Sequence, residues 1–300
     1  MGGTHNFMID ERNEQIKIFV NGDIVPRAEA RISVFDSGFL LGDGMWESFR
    51  LHNGKLAFVD EHMARLNENA RALDISLHMN DEQIVEAIYR TVHANAMETD
   101  VHIRMIVSRG LKITPYQNPR VNTGPPTLVI IPEHKVIADS DTPLKLFTVH
   151  VRRGQPDVLD PQLHPLSKLN CVLASIQVNA AGADEGLMLD PHGFVASCNS
   201  TNFFIVRKDE VWTSTGKYCL RGITRAKILD ICRKQSIPVS EKDFSLKDVY
   251  SATEAFVTGT FGGIQPVSHA DGRVIGTGKK GPVTKQLAHL YQRLLERSCI

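Results

Sequence analysis

Cysteine is scarce in this 300-residue chain: there are five, at positions 171, 198, 219, 232 and 299, odd in number and without a CxxC pair. A disulfide framework or a zinc knuckle is therefore not what organises the protein, and the cysteines read as reduced thiols. No charge of one sign prevails, with 34 Lys+Arg against 34 Asp+Glu. Without an overall basic field to hold phosphodiester backbones, nucleic acid is not expected as a partner. No stretch approaches the ~20 apolar residues needed to cross a bilayer, and the N-terminal residues lack a basic segment followed by an apolar one. Asn6 stands where a myristoylation signal has Ser or Thr. No membrane partner is expected, and the cytoplasm is the expected location. What is present is an ordinary globular balance, 42% hydrophobic and 23% charged, in a chain long enough for two packed lobes or one large domain.

Strand and helix signals alternate along the chain. Residues 16–20 read as a strand ending in the turn Asn21-Gly22-Asp23, and 60–75 as a helix clustering Met63, Leu66, Ala70 and Leu73. A second helix is expected at 81–97, capped by Asn80 with Gln83 completing a capping box. Residues 101–108 alternate with the period of a strand, one face presenting His102 and Arg104. The apolar run 127–131 suits a buried strand, and the polar stretch after it is the best linker. We therefore expect a small N-terminal α/β domain over 1–133, a linker over 134–142 and a large domain over 143–300. In the second part, strands are expected at 144–150, 186–189 and 255–258, a hairpin from 201–206 and 211–214, and helices at 168–181, 224–235 and 282–297. Residues 110–124, rich in Gly and Pro, read as a flap.

Three segments could carry chemistry. Asp36-Ser37-Gly38-Phe39-Leu40-Leu41-Gly42-Asp43-Gly44-Met45-Trp46-Glu47 packs three glycines and two aspartates before an apolar stretch. It reads either as a tight turn feeding a strand or as a ligand loop, without the order of known nucleotide-binding loops. Lys168 opens an apolar helix, where the macrodipole opposes its charge and suits an amine nucleophile; the alternative is a solvated surface lysine. Leu220-Arg221-Gly222-Ile223-Thr224-Arg225 begins another helix, and Thr258-Gly259-Thr260-Phe261-Gly262-Gly263 ends a strand. Both are places where backbone amides and hydroxyls can receive a phosphate. The twelve histidines show no HExxH or paired His/Cys spacing, so no metal is expected.

Taken together, the DxGxxxGDGxxE loop, His62-Met63-Ala64-Arg65-Leu66, Lys168-Leu169-Asn170, the segment from Gly193 to Phe204, Gly222-Ile223-Thr224-Arg225 and Thr258-Gly259-Thr260 to Pro266 stand in an order that resembles the class IV aminotransferases. These are pyridoxal 5'-phosphate (PLP) enzymes of fold type IV, among them branched-chain and D-amino acid aminotransferases, (R)-amine transaminases and aminodeoxychorismate lyase. The resemblance implies an α/β (α+β), two-lobed, D-amino acid aminotransferase-like fold and a homodimer. It makes Lys168 the Schiff-base lysine and proton carrier. Arg65, the amides of Ile223 and Thr224, and Thr260 would hold the cofactor phosphate, and Asn202 would lie at the cofactor. Ser197 stands where the family pattern V-x-E-x-x-x-x-N-x-F has its glutamate, in Val195-Ala196-Ser197-Cys198-Asn199-Ser200-Thr201-Asn202-Phe203-Phe204. That glutamate keeps the pyridine nitrogen protonated in the family, whereas a serine hydroxyl supplies no charge.

For the substrate, the resemblance offers Arg104, as in branched-chain enzymes, or Arg109, as in D-specific ones, as a carboxylate clamp. Trp46 and Phe261 would line the pocket, each replacing a different family residue. The implied reaction is ping-pong transfer of an amino group between an amino acid or primary amine and a 2-keto acid. Two further readings stand beside it: a PLP lyase of the aminodeoxychorismate lyase type, which Ser197 favours, and a PLP-binding homologue with little turnover.

Overall fold

A computed structural model of the chain describes residues 10–135 and 141–299. It divides into two compact units. The N-terminal unit holds residues 10–135 with His164–Ser167 and residues 298–299, and the C-terminal unit holds residues 141–163 with Lys168–Arg297. The expected linker lies largely outside the described residues, and its first residue, His134, still belongs to a strand.

In the N-terminal unit, strands β1 (Lys17–Val20) and β2 (Asp23–Pro26) form a hairpin, followed by the short helix α1 (Ser37–Leu41), β3 (Gly44–His52) and β4 (Lys55–Leu56). Helices α2 (Val59–Ala72) and α3 (Asp81–His93) come next, then β5 (Val101–Ser108), the two-residue strands β6 (Leu111–Lys112) and β7 (Asn122–Thr123), and β8 (Thr127–His134). Six strands form one antiparallel sheet in the order β2-β1-β8-β5-β3-β4. Met63, Leu66 and Ala70 of α2 and Ile84, Ala87 and Ile88 of α3 pack with Met45, Phe49, Ile103, Met105 and Ile130 into one core. The Asn80–Gln83 capping box is present at α3. That helix stops at His93, short of the expected 97, because Ala96 takes a left-handed φ of 49° and the Asn95 amide bonds both backbone groups of Lys17. The expected flap is pinned as the β6–β7 ladder.

In the C-terminal unit, β9 (Leu144–Thr148) is followed by α4 (Pro156–Leu159), α5 (Leu169–Ala180), β10 (Glu185–Leu189), β11 (Val195–Cys198), β12 (Asn202–Arg207), β13 (Glu210–Thr213) and α6 (Ile223–Lys234). Then come β14 (Val239–Glu241), α7 (Leu246–Tyr250), β15 (Glu254–Gly259), β16 (Gly263–Ala270), β17 (Arg273–Val274) and α8 (Pro282–Ser298). The strands make a mixed sheet ordered β11-β10-β9-β16-β15-β12-β13-β14, with β17 paired to β16. Strand β16 escapes sequence reading. Pro266 lies inside it and its alternation is poor, yet it sits between β9 and β15, with a register shift near Val267. No helix among the described residues is long and apolar enough to cross a membrane.

Candidate functional site

In the N-terminal unit the loop of residues 36–47 is a capped turn running into a strand. The Asp36 carboxylate accepts from the Gly38 amide, which caps α1, and from the hydroxyls of Ser108 and Thr127, at 2.7–2.8 Å. Gly44 then passes so close to β5 that a Cβ there would lie 2.3 Å from the Val107 carbonyl oxygen, with φ at +159°. From that point β3 alternates. Met45, Glu47, Phe49 and Leu51 share one face, and Trp46 and Ser48 the other.

Glu47 is therefore aimed at the face covered by α2, and it is fully buried. Residues three apart on α2 meet it: Arg65 donates from Nε and Nη2 at 2.8 Å each, and His62 Nδ1 lies at 2.9 Å. His164 Nδ1 stands 3.5 Å away. Burial by itself would raise the Glu47 pKa, but the Arg65 guanidinium and the histidine hydrogen bonds outweigh it and hold the carboxyl well below its ordinary range. Burial pushes the His62 pKa down, against the pull of Glu47. The resemblance implies a phosphate for Arg65 and names no partner for Glu47. The structure shows that Arg65 is first the counter-charge of Glu47, with Nη1 making no hydrogen bond to a described residue.

The substrate-site expectations separate here. The Trp46 ring lies 3.8 Å from the His164 ring, centroid to centroid, and the Arg104 guanidinium carbon 4.3 Å from the Trp46 centroid. Arg104 is the exposed residue of β5 and makes no ion pair with a described residue. His102, expected on the same open face, is buried and bonded to Ser48 at 2.8 Å. Arg109 is otherwise engaged: Nε and Nη2 bind Asp43 at 2.8 and 3.1 Å, and Nη1 and Nη2 donate to the Asp74 and Leu73 carbonyls after α2. Four donor contacts make Arg109 a clamp on the loop and the helix end, which leaves Arg104 as the open guanidinium.

In the C-terminal unit Lys168 is the N-cap residue of α5, half-buried. Ser197 lies on β11, 1% exposed, and its hydroxyl donates to the Cys198 carbonyl at 2.9 Å. The Asn202 amide donates to the Leu220 carbonyl at 2.9 Å, fixing the approach to α6. Gly222 is the N-cap residue of α6 and offers no side-chain cap to the amides behind it, those of Ile223 and Thr224. Thr224 is buried, Thr260 is half-buried in the turn after β15, and Phe261 beside it is buried.

Whether these residues suit a phosphate is decided by Thr258, which sequence reading passed over for Thr260. The β12–β15 register pairs Thr258 with Asn202, so their side chains share a face, and the Asn202 Oδ1 lies against Gly222. Thr258 is 2% exposed and its Oγ1 has no hydrogen-bond partner. A buried hydroxyl left unbonded costs about 1–3 kcal/mol. Set beside an uncapped helix N-terminus, it fits an anionic group that accepts from both. Gly222 leaves the room: a Cβ there would fall 2.3 Å from the Asn202 Oδ1. Gly222→Ala is therefore expected to weaken PLP binding at least about tenfold, the equivalent of ~1.4 kcal/mol, and, because the clash is with buried Asn202, to lower the urea unfolding midpoint of the cofactor-free protein as well. Titration by cofactor absorbance checks the first and denaturation the second.

Comparison with known proteins shows the family. The family model described as Amino-transferase class IV matches residues 44–270. Branched-chain-amino-acid aminotransferase-like protein 2 of Arabidopsis thaliana is 41% identical over 287 residues, 95% of this chain and 51% of the relative. The chain thus spans about half the length of the Arabidopsis relatives it matches. A putative branched-chain-amino-acid aminotransferase of Methanocaldococcus jannaschii is 36% identical over 92% of this chain and 96% of its own. Among solved structures, the branched-chain aminotransferase of the thermophilic archaeon Thermoproteus uzoniensis with norvaline superposes with a TM-score of 0.85 at 27% identity, covering 94% of this chain and 96% of its own. The expected type IV α/β fold is the observed one, and the chain belongs to the class IV aminotransferases.

Proposed function

We propose that this protein is a PLP-dependent aminotransferase that moves an amino group from an amino acid to a 2-keto acid by a ping-pong mechanism. The observation that carries this reading is the buried, unbonded Thr258 hydroxyl beside the uncapped N-terminus of α6, in the unit that also holds the N-cap lysine of α5. Solved relatives carry N-(5'-phosphopyridoxyl)-L-glutamate or pyridoxamine 5'-phosphate. When bound, PLP supplies the electron sink that makes a Cα proton removable. Lys168 would hold the cofactor through Nζ, and the same amine would take the proton from the substrate Cα. In the C-terminal unit the Ile223 and Thr224 amides and the Thr258 and Thr260 hydroxyls would bind the cofactor phosphate. Asn202 keeps α6 in place beneath it.

Arg104 receives the substrate carboxylate, with Trp46 as the aromatic wall that orients its guanidinium. The working unit is a homodimer. Leu169, Val172, Leu173 and Ile176 expose an apolar stripe along α5, and Ile32, Val34, Phe35, Phe39 and Leu41 expose another apolar segment, surface suited to burial against a second copy. Five unpaired cysteines suit a reducing compartment such as the cytoplasm.

The test is an absorbance scan of the PLP-loaded protein against L-amino acids, D-amino acids and chiral amines. A donor should replace the visible band of the lysine-bound cofactor with the near-ultraviolet band of pyridoxamine phosphate, and a keto acid should restore it. Release of pyruvate or ammonia with the visible band retained would support the lyase reading that Ser197 favours. A protein that takes up PLP and turns over none of the panel would be a binding homologue.

A further inference from the structure

The wall that carries Ser197 also holds a cation that no family-matched segment pointed to. Arg153 follows β9 in the chain, and its amide is anchored to the Leu189 carbonyl at 2.9 Å. Its Nη2 donates to the Cys198 carbonyl, the same oxygen that accepts from the Ser197 hydroxyl. Nη1 lies 3.7 Å from the Cys171 sulfur, one turn into the helix that Lys168 opens. Nε is buried and unbonded, and Arg153 forms no ion pair with a described residue. Glu185, on the strand β10 that pairs with β11, has Oε1 occupied by the Ser200 amide and hydroxyl and the Thr201 hydroxyl, at 2.7–3.1 Å. Arginine does not give up its proton in proteins. Beside Ser197 there is thus a permanent positive charge, one buried donor without an acceptor, and no carboxylate bonded to either.

From this we infer that Arg153 and Ser197 act as one unit that keeps the pyridine nitrogen of bound PLP without a proton: Ser197, whose one hydroxyl proton goes to the Cys198 carbonyl, supplies no negative charge there, and Arg153 supplies a like charge that opposes protonation. The inference rests on the reading that Lys168 carries PLP in this unit. Arg153 is a positioning and charge-setting residue, because it reaches the site through the Cys198 carbonyl that it shares with Ser197. Its consequence is chemical: an unprotonated ring draws fewer electrons from the substrate carbon, so proton removal depends more heavily on the Lys168 amine.

The experiment is 15N NMR of the holoenzyme loaded with PLP labelled at the ring nitrogen, with the lysine-bound band recorded on the same sample. The wild type should show a neutral pyridine. Arg153→Lys, which keeps the charge, should match it. Arg153→Met should move the signal toward pyridinium, and Ser197→Glu should move it further. If Arg153→Met fails to fold, Arg153→Gln removes the same charge with a side chain that can still hydrogen-bond. A wild-type pyridinium signal with the lysine-bound band intact overturns this inference and leaves the aminotransferase reading standing. A neutral signal that neither Arg153→Met nor Arg153→Gln moves overturns the role of Arg153. Wild-type protein that forms no lysine-bound band overturns the cofactor reading and this inference with it.

Discussion

Lys168→Ala is expected to abolish the visible band of the PLP-loaded protein and to lower the rate of the amino-donor half-reaction by at least about 10²–10⁴-fold, the range for losing a positioned acid–base group. The loss is compounded because the same amine is the covalent attachment point. Stability should hardly change. Lys168 is half-buried at the N-cap of α5, where a cation opposes the helix dipole, so its removal relieves rather than strains the helix. Urea unfolding of the variant should therefore overlay the wild type, which separates a missing nucleophile from a missing fold. Lys168→Arg gives the second arm, since it keeps the charge without a usable amine and should be equally inactive. A Lys168→Ala protein that still shows the lysine-bound band would place the Schiff base elsewhere.

Glu47→Gln should carry the largest stability cost in the N-terminal unit, about 3–5 kcal/mol, because it leaves the Arg65 guanidinium half-buried without its counter-charge. Against a typical total of about 5–15 kcal/mol this is a large fraction, and it should appear as a lowered urea midpoint at neutral pH. Acid titration gives an independent signature. The Glu47 pKa is lowered in the folded protein, so its contribution is complete above the ordinary carboxylate range and is lost as pH falls through that range to the lower folded pKa. The His62 pKa is also lowered, so the unfolded chain binds a proton there first, and stability begins to fall as pH drops below about 6.5, the ordinary histidine value. Both act in the same direction. The variant should lose the steeper acid limb below the carboxylate range and keep the shallower histidine limb. A Glu47→Gln protein as stable as wild type would mean that Arg65 is satisfied by water or by an anion.

The two predictions draw on different information. Lys168 was legible as a candidate because an amine at the start of an apolar helix is a local feature, and the ordered motifs around it supplied its role. Glu47 was visible only as the last letter of a loop. Its partners come from α2 and from residue 164, far apart in sequence, and nothing in a linear reading joins them. The strand alternation that turns Glu47 toward α2 is local, but the identity of what waits there is set by packing.

What the sequence determined by itself follows from short-range physics. Hairpin glycines, the Asn80 capping box, the 3.6-residue stripe of Met63, Leu66 and Ala70, and the alternation of 101–108 are fixed by backbone sterics and by which face can be apolar. They place most elements and the motif order. Tertiary structure decided the rest, because hydrogen-bond partners and desolvation are properties of neighbours in space. It assigned Arg109 to Asp43 and two carbonyls and so left Arg104 open. It buried Pro266 in a central strand, left Thr258 without a partner next to α6, and brought Arg153 to the carbonyl that Ser197 uses. Each depends on strand register or on a contact between segments distant in the chain, which composition and periodicity do not encode.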